Sequence, residues 1–255
     1  MTATIDVSGR LSARPTARLF YVYMAAVCAA IAFLGFLPTY WAPMAAGAFK
    51  ARPLVHIHGA VFFGWSLYFV LQTWLAASGR TAGHRALGMI GISLTTAMTI
   101  LGVLAAINQM ETATALGLAE AGRAFAIVPL GGIAFFATAI AVAVANRHRP
   151  EIHKRLMLLA AISILDAPMA RWFMVFLAPP GASGPPPVGA DIPPSIVVWL
   201  LLIAAMVFDW RTRGRPHPAY FYGGAALVTL KLAEVPISAT PAWHSIAGAV
   251  LALAG

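Results

Sequence analysis

Charged residues are scarce in this sequence. Asp, Glu, Lys and Arg make up only 10% of its 255 residues, whereas soluble domains carry about 25%. So few charged residues cannot cover the surface of a soluble globular domain. Because hydrophobic residues account for 60% of the chain, the composition excludes an ordinary soluble domain and favours a protein embedded in a lipid bilayer.

Cysteine is almost missing as well. The one cysteine, Cys28, lies inside an apolar run, so the chain cannot build a disulfide framework or a thiolate metal cluster. The net charge of +9 does not indicate nucleic-acid binding, because Lys and Arg stand in short segments between apolar runs. We interpret them as topology signals and as contacts to anionic lipid headgroups.

Seven apolar runs are present, and a spanning helix needs about 20 such residues. The sequence therefore predicts an all-α polytopic transmembrane bundle of about seven helices over 18–237. A polar tail, 1–17, precedes it, and a short apolar segment, 238–255, is expected to lie outside, at the interface or against the bundle. The runs are 18–39, 54–77, 87–108, 124–145, 156–178, 195–210 and 220–237.

The distribution of Lys and Arg predicts the orientation. Twelve lie in the N-terminal tail and the even-numbered loops, against three in the other loops. The positive-inside rule then places the tail and the even-numbered loops in the cytoplasm, with the chain as a multi-pass protein of a plasma membrane. The fifth loop, 179–194, is rich in Pro and Gly and is expected to be a mobile external linker.

Ionisable groups inside spans are functional candidates because they are costly to bury. At 1.5 Å per residue, Asp166 lies about 15 Å and Arg171 about 22 Å into the fifth helix. Lys231 and Glu234 stand in the seventh helix, and His58 lies about 7 Å below the outer boundary. Two interpretations remain open: an outward polar pocket for a metal, a cofactor edge or a quinone-like head group, or two acids and two bases that neutralise each other.

His56 and His58 form a His-x-His motif at the start of the second run. In an extended segment both side chains share a face and could chelate copper or zinc. In a continuous helix they point about 200° apart and cannot serve one ion. The motif therefore predicts a shared metal site only if the segment is extended. In a helix, only one of the two histidines could bind a given metal ion.

His84 and His153 each precede a cation at the predicted cytoplasmic start of a helix. Two histidines at one depth on two helices could ligate haem iron from both sides. Arg85 and Arg155, together with Arg149, would then lie near enough to meet the haem propionates. The alternative is an ordinary membrane boundary at which His and Arg contact lipid phosphates.

Several of these motifs together resemble a broad group of uncharacterised bacterial polytopic membrane proteins. The basic start of the fifth helix is also loosely similar to membrane proteins that assist the assembly of haem-copper oxidases. The first resemblance implies architecture more than chemistry. It is carried by His56-x-His58 with Gly64-Trp65 and Gln72, by Gly83-His84-Arg85-Ala86-Leu87-Gly88, by His153-Lys154-Arg155-Leu156-Met157-Leu158-Leu159 with Asp166, and by His217-Pro218.

We expect a membrane protein that binds a redox cofactor or metal. Haem b is the leading candidate, with copper or another transition metal as the alternative. Its role would lie in electron transfer or oxidase biogenesis, beside a respiratory-chain or quinone partner. A transporter or small-ligand-binding protein stays open, although no paired interrupted helices are visible in two halves. A retinal protein is disfavoured for two reasons. The predicted orientation is opposite to that of retinal-binding photoreceptors, and the residue four positions before Lys231 is Leu227 and not an acid.

The topology can be tested with reporter fusions. Fusions in the second, fourth and sixth loops should report the cytoplasm, because these loops carry the excess of Lys and Arg. Fusions within 179–194 should report the outside. A cytoplasmic signal from 179–194 would contradict the helix count or the orientation.

Overall fold

A computed structural model describes residues 15–179 and 181–254, and within those ranges every regular element is helical. Most of the predicted tail 1–17 lies outside them. Short π- and 3-10-helical turns cover Leu37–Trp41, Val188–Asp191 and Ala252–Ala254. The helices are α1 (Pro15–Gly35), α2 (Ala42–Ala45), α3 (Pro53–Ala77), α4 (Thr81–Ala115), α5 (Ala119–Phe125), α6 (Ile127–Ala145), α7 (Pro150–Ser163), α8 (Asp166–Leu177), α9 (Ile192–Arg213), α10 (Pro218–Ser238) and α11 (Pro241–Leu251).

Within the described ranges, six helical segments are long and apolar enough to cross a membrane. The predicted seventh helix is α10, whose 21 residues reach about 32 Å at 1.5 Å per residue. It carries Lys231 and Glu234, so it is less apolar than the others, yet it packs among α6, α7 and α9. The polytopic, all-helical architecture is thereby confirmed.

The fifth span is not continuous, in contrast to the single helix predicted for 156–178. α7 ends at Ser163 and α8 begins at Asp166. Pro168 explains the break: it has no N–H to donate to the carbonyl of Ile164, and its ring would clash with that carbonyl in a straight helix. The break places Asp166, which is buried, in the first turn of α8.

The expectation of a mobile linker through residue 194 is wrong for 188–194. Val188–Asp191 forms a 3-10 turn that leads directly into α9. Val188 and Asp191 are buried, because the turn packs against α10. The final part of the fifth loop is therefore a fixed part of the bundle.

The core lies between α1, α3, α6 and α7. Trp65 on α3 stacks on Phe69 with ring centres 5.4 Å apart and meets Phe136 of α6 edge-on at 5.0 Å. Small residues bring the helices together: a Cβ on Gly102 of α4 would lie 2.8 Å from Ile133. Close approach at small residues is how helices pack when lipid supplies no hydrophobic driving force between them.

The two ends of the bundle differ. α4, α7 and α10 begin at one end, which we name the basic end because most of the Arg residues described lie there. α9 begins at the opposite end. There α11 packs on α5, and Nε1 of Trp243 donates to the carbonyl of Arg123 at 2.8 Å.

Gly35 allows α1 to contact α8 at the level of the helix break. A Cβ at this position would lie 2.6 Å from the carbonyl oxygen of Pro168, and a backbone atom cannot move aside as a side chain can. We therefore expect Gly35→Ala to lower the free energy of unfolding by about 1–3 kcal/mol. Gly64→Ala is the matched control, because nothing lies within 4 Å of its Cβ; it should be neutral or stabilise α3 by up to about 1 kcal/mol. Equal melting temperatures of the two variants in detergent would contradict this close contact.

Candidate functional site

Lys231 lies at the middle of a buried group of three carboxylates, which we name the Lys231 centre. Its Nζ is 2.8 Å from Oδ2 of Asp191, 3.2 Å from Oδ2 of Asp166 and 3.4 Å from Oε2 of Glu234. All four side chains are at least nine-tenths buried. The centre thus joins the break before α8, the 3-10 turn before α9 and the middle of α10.

The sequence had singled out Asp166, Lys231 and Glu234, and the structure brings these three together. Asp191 is not among the predicted residues, because it lies in the Pro-rich loop, whose composition predicts a linker. A local signal was available: each of the three acids stands two residues before a proline, in Asp166-Ala167-Pro168, Asp191-Ile192-Pro193 and Glu234-Val235-Pro236.

This spacing has a physical effect on two of the acids. Asp166 is the first residue of α8, and Asp191 is the residue before α9. Each therefore lies at a helix N-terminus, where the helix dipole stabilises a negative charge. The proline that follows has no N–H, so it cannot donate to the carboxylate. The carboxylate oxygens of Asp166 and Asp191 instead contact Nζ of Lys231 on α10.

The charges of the Lys231 centre do not balance. Three carboxylates face one ammonium group, and Oδ1 of Asp166 and Oε1 of Glu234 are buried without a hydrogen-bond partner. Buried polar atoms are normally paired. The arrangement is therefore incomplete without a proton or another cation.

Arg171 does not supply the missing charge. It lies over the ring of Phe36 at 5.4 Å, and its Nη1 is 3.6 Å from Sδ of Met174. No ion pair involves Arg171 among the described residues. The expected balance of two acids with two bases is replaced by three acids and one base.

His56 and His58 lie on different faces of α3, which is a continuous helix. Nδ1 of His56 is 3.0 Å from the hydroxyl of Tyr40. His58 stacks on Phe62 at 4.1 Å, with Nδ1 3.4 Å from the carbonyl of Leu101. The extended segment that a shared metal ion would need is not formed, so these two side chains cannot chelate one ion together.

His84 and His153 face each other at the basic end and form what we name the histidine pair. Their ring centres are 6.3 Å apart, and the rings are inclined by 77°. Nδ1 of His153 is 2.8 Å from the carbonyl oxygen of Ala143. Nδ1 of His84 is buried and has no hydrogen-bond partner. The structure thus brings together two imidazoles that lie far apart in the sequence.

Arg155 belongs to a different site. Its Nε and Nη2 donate to Asp209 at 2.8 and 2.5 Å, and its Nη1 donates to Glu151 at 2.6 Å. Because Arg155 and His153 are two residues apart on α7, their side chains point about 200° apart. The predicted role of Arg155 at a haem propionate is not supported by this placement. Arg85 is exposed beside His84, and its role at a propionate stays a prediction.

His217 completes the surroundings of Asp209. Its backbone N–H donates to Oδ2 of Asp209 at 3.1 Å, and its Nδ1 accepts a hydrogen bond from the N–H of Ala219 at 3.0 Å. Burial lowers the pKa of His217, and the nearby Arg155 and Arg213 lower it further. The neutral ring therefore caps the start of α10, and His217 takes no part in the histidine pair.

Arg155 and Asp209 are both almost fully buried, so removing one partner leaves the other as an unpaired charge. We expect Arg155→Ala to cost about 3–5 kcal/mol of stability. A double variant, Arg155→Met with Asp209→Leu, should recover much of that loss. Thermal unfolding in detergent measures both, with the exposed Arg149→Ala as a control that should change stability by no more than about 0.5 kcal/mol. A double variant as unstable as Arg155→Ala would contradict a role limited to charge pairing.

Comparison of the chain with protein-family models, with curated proteins and with solved structures gave no match. Inferences about function therefore depend on two polar arrangements, the partly buried histidine pair and the buried Lys231 centre. These lie towards opposite ends of the bundle, since His84 and His153 begin α4 and α7 whereas Asp191 precedes α9.

Proposed function

We propose that this multi-pass membrane protein binds haem b between His84 and His153 and serves in electron transfer. The observation that carries the proposal is the separation of the two imidazoles. A bond from a metal to an imidazole nitrogen is about 2 Å long, so two imidazoles on opposite sides of one ion have ring centres about 6 Å apart. The observed separation of 6.3 Å fits that arrangement.

The hydrogen bonds around the pair also fit ligation. A histidine that binds a metal generally donates its other ring N–H to a carbonyl or carboxylate, which fixes the tautomer. The contact between Nδ1 of His153 and the carbonyl of Ala143 provides this and leaves Nε2 as the free lone pair. Nδ1 of His84, buried without a partner, is a ring nitrogen that a bound metal would satisfy.

The position at the basic end suits the rest of the cofactor. The porphyrin would contact apolar side chains, and its propionates would extend to the boundary, where Arg85 and Arg149 are exposed. Haem, when bound, supplies a one-electron change at iron. His84 and His153 would hold the iron together and would leave no position for oxygen, so the site would favour electron transfer.

The same geometry admits copper or another transition metal, because imidazole is a good ligand for several of them. We propose that the site exchanges electrons with a quinol or with a respiratory-chain protein. A role in oxidase assembly is the second possibility for the same site. Electron transfer and oxidase assembly both require the histidine pair to bind a redox-active metal. The absorption spectrum is therefore the first measurement to make.

The purified protein, reconstituted with haemin in detergent, should show a Soret band and a reduced-minus-oxidised difference spectrum of a six-coordinate haem. His84→Ala and His153→Ala should each abolish or shift that spectrum, because one axial ligand is lost. His148→Ala is the matched control: His148 is exposed just before α7, and its loss should leave the spectrum unchanged. Melting temperatures recorded in parallel separate loss of haem from loss of fold.

Two outcomes would contradict haem binding at this pair. One is a protein that takes up no haemin, and the other is a spectrum that survives both single substitutions. Uptake of copper instead, with loss of the bound metal in both variants, would retain the site and replace the cofactor.

A second candidate function is ion-coupled transport, and the interrupted fifth span favours it. Non-helical backbone at membrane depth is tolerated where it lines a cavity or is buried in protein, and broken helices often form ion sites. The break at 164–165 lies directly beside Asp166 and hence beside the Lys231 centre. Substrate uptake by reconstituted vesicles that is lost in Asp166→Asn and retained in His84→Ala would favour transport over electron transfer.

A further inference from the structure

We infer that the Lys231 centre is a proton-binding site, with Glu234 as the residue that carries the proton, and that it exchanges this proton with the aqueous phase at the end of the bundle where α9 begins. The inference does not depend on the histidine pair or on haem. It follows from the charge balance, the geometry of the three carboxylates and an open cavity lined by residues close in the chain to Glu234 and Asp191.

The charge balance predicts one proton. With all three acids ionised, the centre would carry a net charge of −2 inside an apolar bundle. The N-termini of α8 and α9 each contribute about +0.5 of an elementary charge, and Asp166 and Asp191 lie at these two ends. If one acid is neutral, the remaining charges of Lys231, Asp166 and Asp191 are compensated by the two helix ends.

The geometry assigns the proton to Glu234. Asp191 has the shortest contact with Lys231, at 2.8 Å, and Glu234 has the longest, at 3.4 Å. Glu234 lies inside α10 and not at a helix N-terminus, so no dipole stabilises its charge. Its Oε1 has no partner and lies against Gly131 of α6, where a Cβ would come within 2.7 Å. A proton on that oxygen would remove an uncompensated buried charge.

Among the described residues, the charged groups that face Glu234 come from three elements. α8 contributes Asp166, the 3-10 turn contributes Asp191, and α10 contributes Lys231. α6 presents the backbone of Gly131, which carries no charge. From α9, Ser195 directs its hydroxyl to the carbonyl of Asp191 at 2.8 Å.

The same carboxylates do not converge as metal ligands would. Within the described part of the chain, no three His, Cys, Asp or Glu side chains are arranged to hold a metal ion. The acids instead surround the ammonium group of Lys231. This arrangement favours a proton on one acid over a second cation shared by several.

An open cavity of about 460 Å³ lies at the end of the bundle where α9 begins, and Ser238 of α10, one turn after Glu234, lines it. Val235, which lines it, is the residue after Glu234, and Val188 and Gly189 line it from the 3-10 turn that carries Asp191. Glu120 and His244 stand in the same cavity, with Nδ1 of His244 3.3 Å from Oε2 of Glu120. These two titratable side chains could pass a proton between water and Glu234.

The path towards the basic end is closed by tightly packed apolar side chains. Leu227, one turn before Lys231 on α10, is only 1% exposed. The next turn is filled as well, because Gly224 packs directly against Leu202 of α9. Proton exchange is therefore expected from one side of the bundle only. The chemical step is the addition of a proton to a Glu234 carboxylate oxygen and its later release to water.

Infrared difference spectroscopy of the purified protein in lipid nanodiscs tests this inference. The wild type at neutral pH should show the C=O stretching band of a protonated carboxylic acid, and the band should shift when the buffer is exchanged for D₂O. Glu234→Gln should remove the band and keep the melting temperature, because an amide matches the neutral acid in shape and charge. Glu111→Gln is the control, because Glu111 pairs with Arg52 on the surface and does not line the cavity; this variant should keep the band.

Three results would overturn the inference. They are a wild type without a carboxylic acid band, a band that survives Glu234→Gln and disappears in Asp166→Asn, and stability that requires sodium ions at neutral pH. Failure of Glu234→Gln to fold would also contradict a neutral Glu234. Repeating the measurement on haem-free His84→Ala protein keeps this test separate from the haem proposal, because the band should be present there too.

Discussion

Buried ion pairs between helices hold the second half of this bundle together. In an apolar surrounding, an unpaired ion is far more costly than in water. Arg155 of α7 is paired with Asp209 near the end of α9, and Lys231 of α10 is paired with Asp191 just before α9. The same helix is thus fixed by charge at both of its ends. The first half of the bundle depends instead on close contacts at small residues such as Gly102.

The sequence was sufficient to predict the helical, membrane-embedded fold, because spanning length and apolar composition leave few alternatives. It also predicted that His84 and His153 lie at one depth, and the structure places their rings 6.3 Å apart. It could not reveal that Arg155 turns away from them towards Asp209. That pairing depends on how α7 and α9 are rotated about their own axes, and the hydropathy of the sequence does not determine these rotations.

Asp191 shows a second limit of reading the sequence. A Pro- and Gly-rich composition is typical of linkers, and the composition of this loop does not indicate that its end is buried. The partner that buries it, Lys231, is 40 residues away in the sequence. Composition describes a segment by itself, whereas burial depends on what the rest of the fold places against it.

The three acid-x-proline segments connect these observations. In soluble proteins a proline after an acid often marks only a helix start. Inside a membrane the same proline interrupts the backbone hydrogen bonds at a depth where water cannot replace them. Such an interruption persists only where the neighbouring helices compensate for it, and here Lys231 contacts all three acids that precede these prolines. The acid-x-proline spacing is therefore the feature that Asp191, in the fifth loop, shares with Asp166 and Glu234 inside the apolar runs.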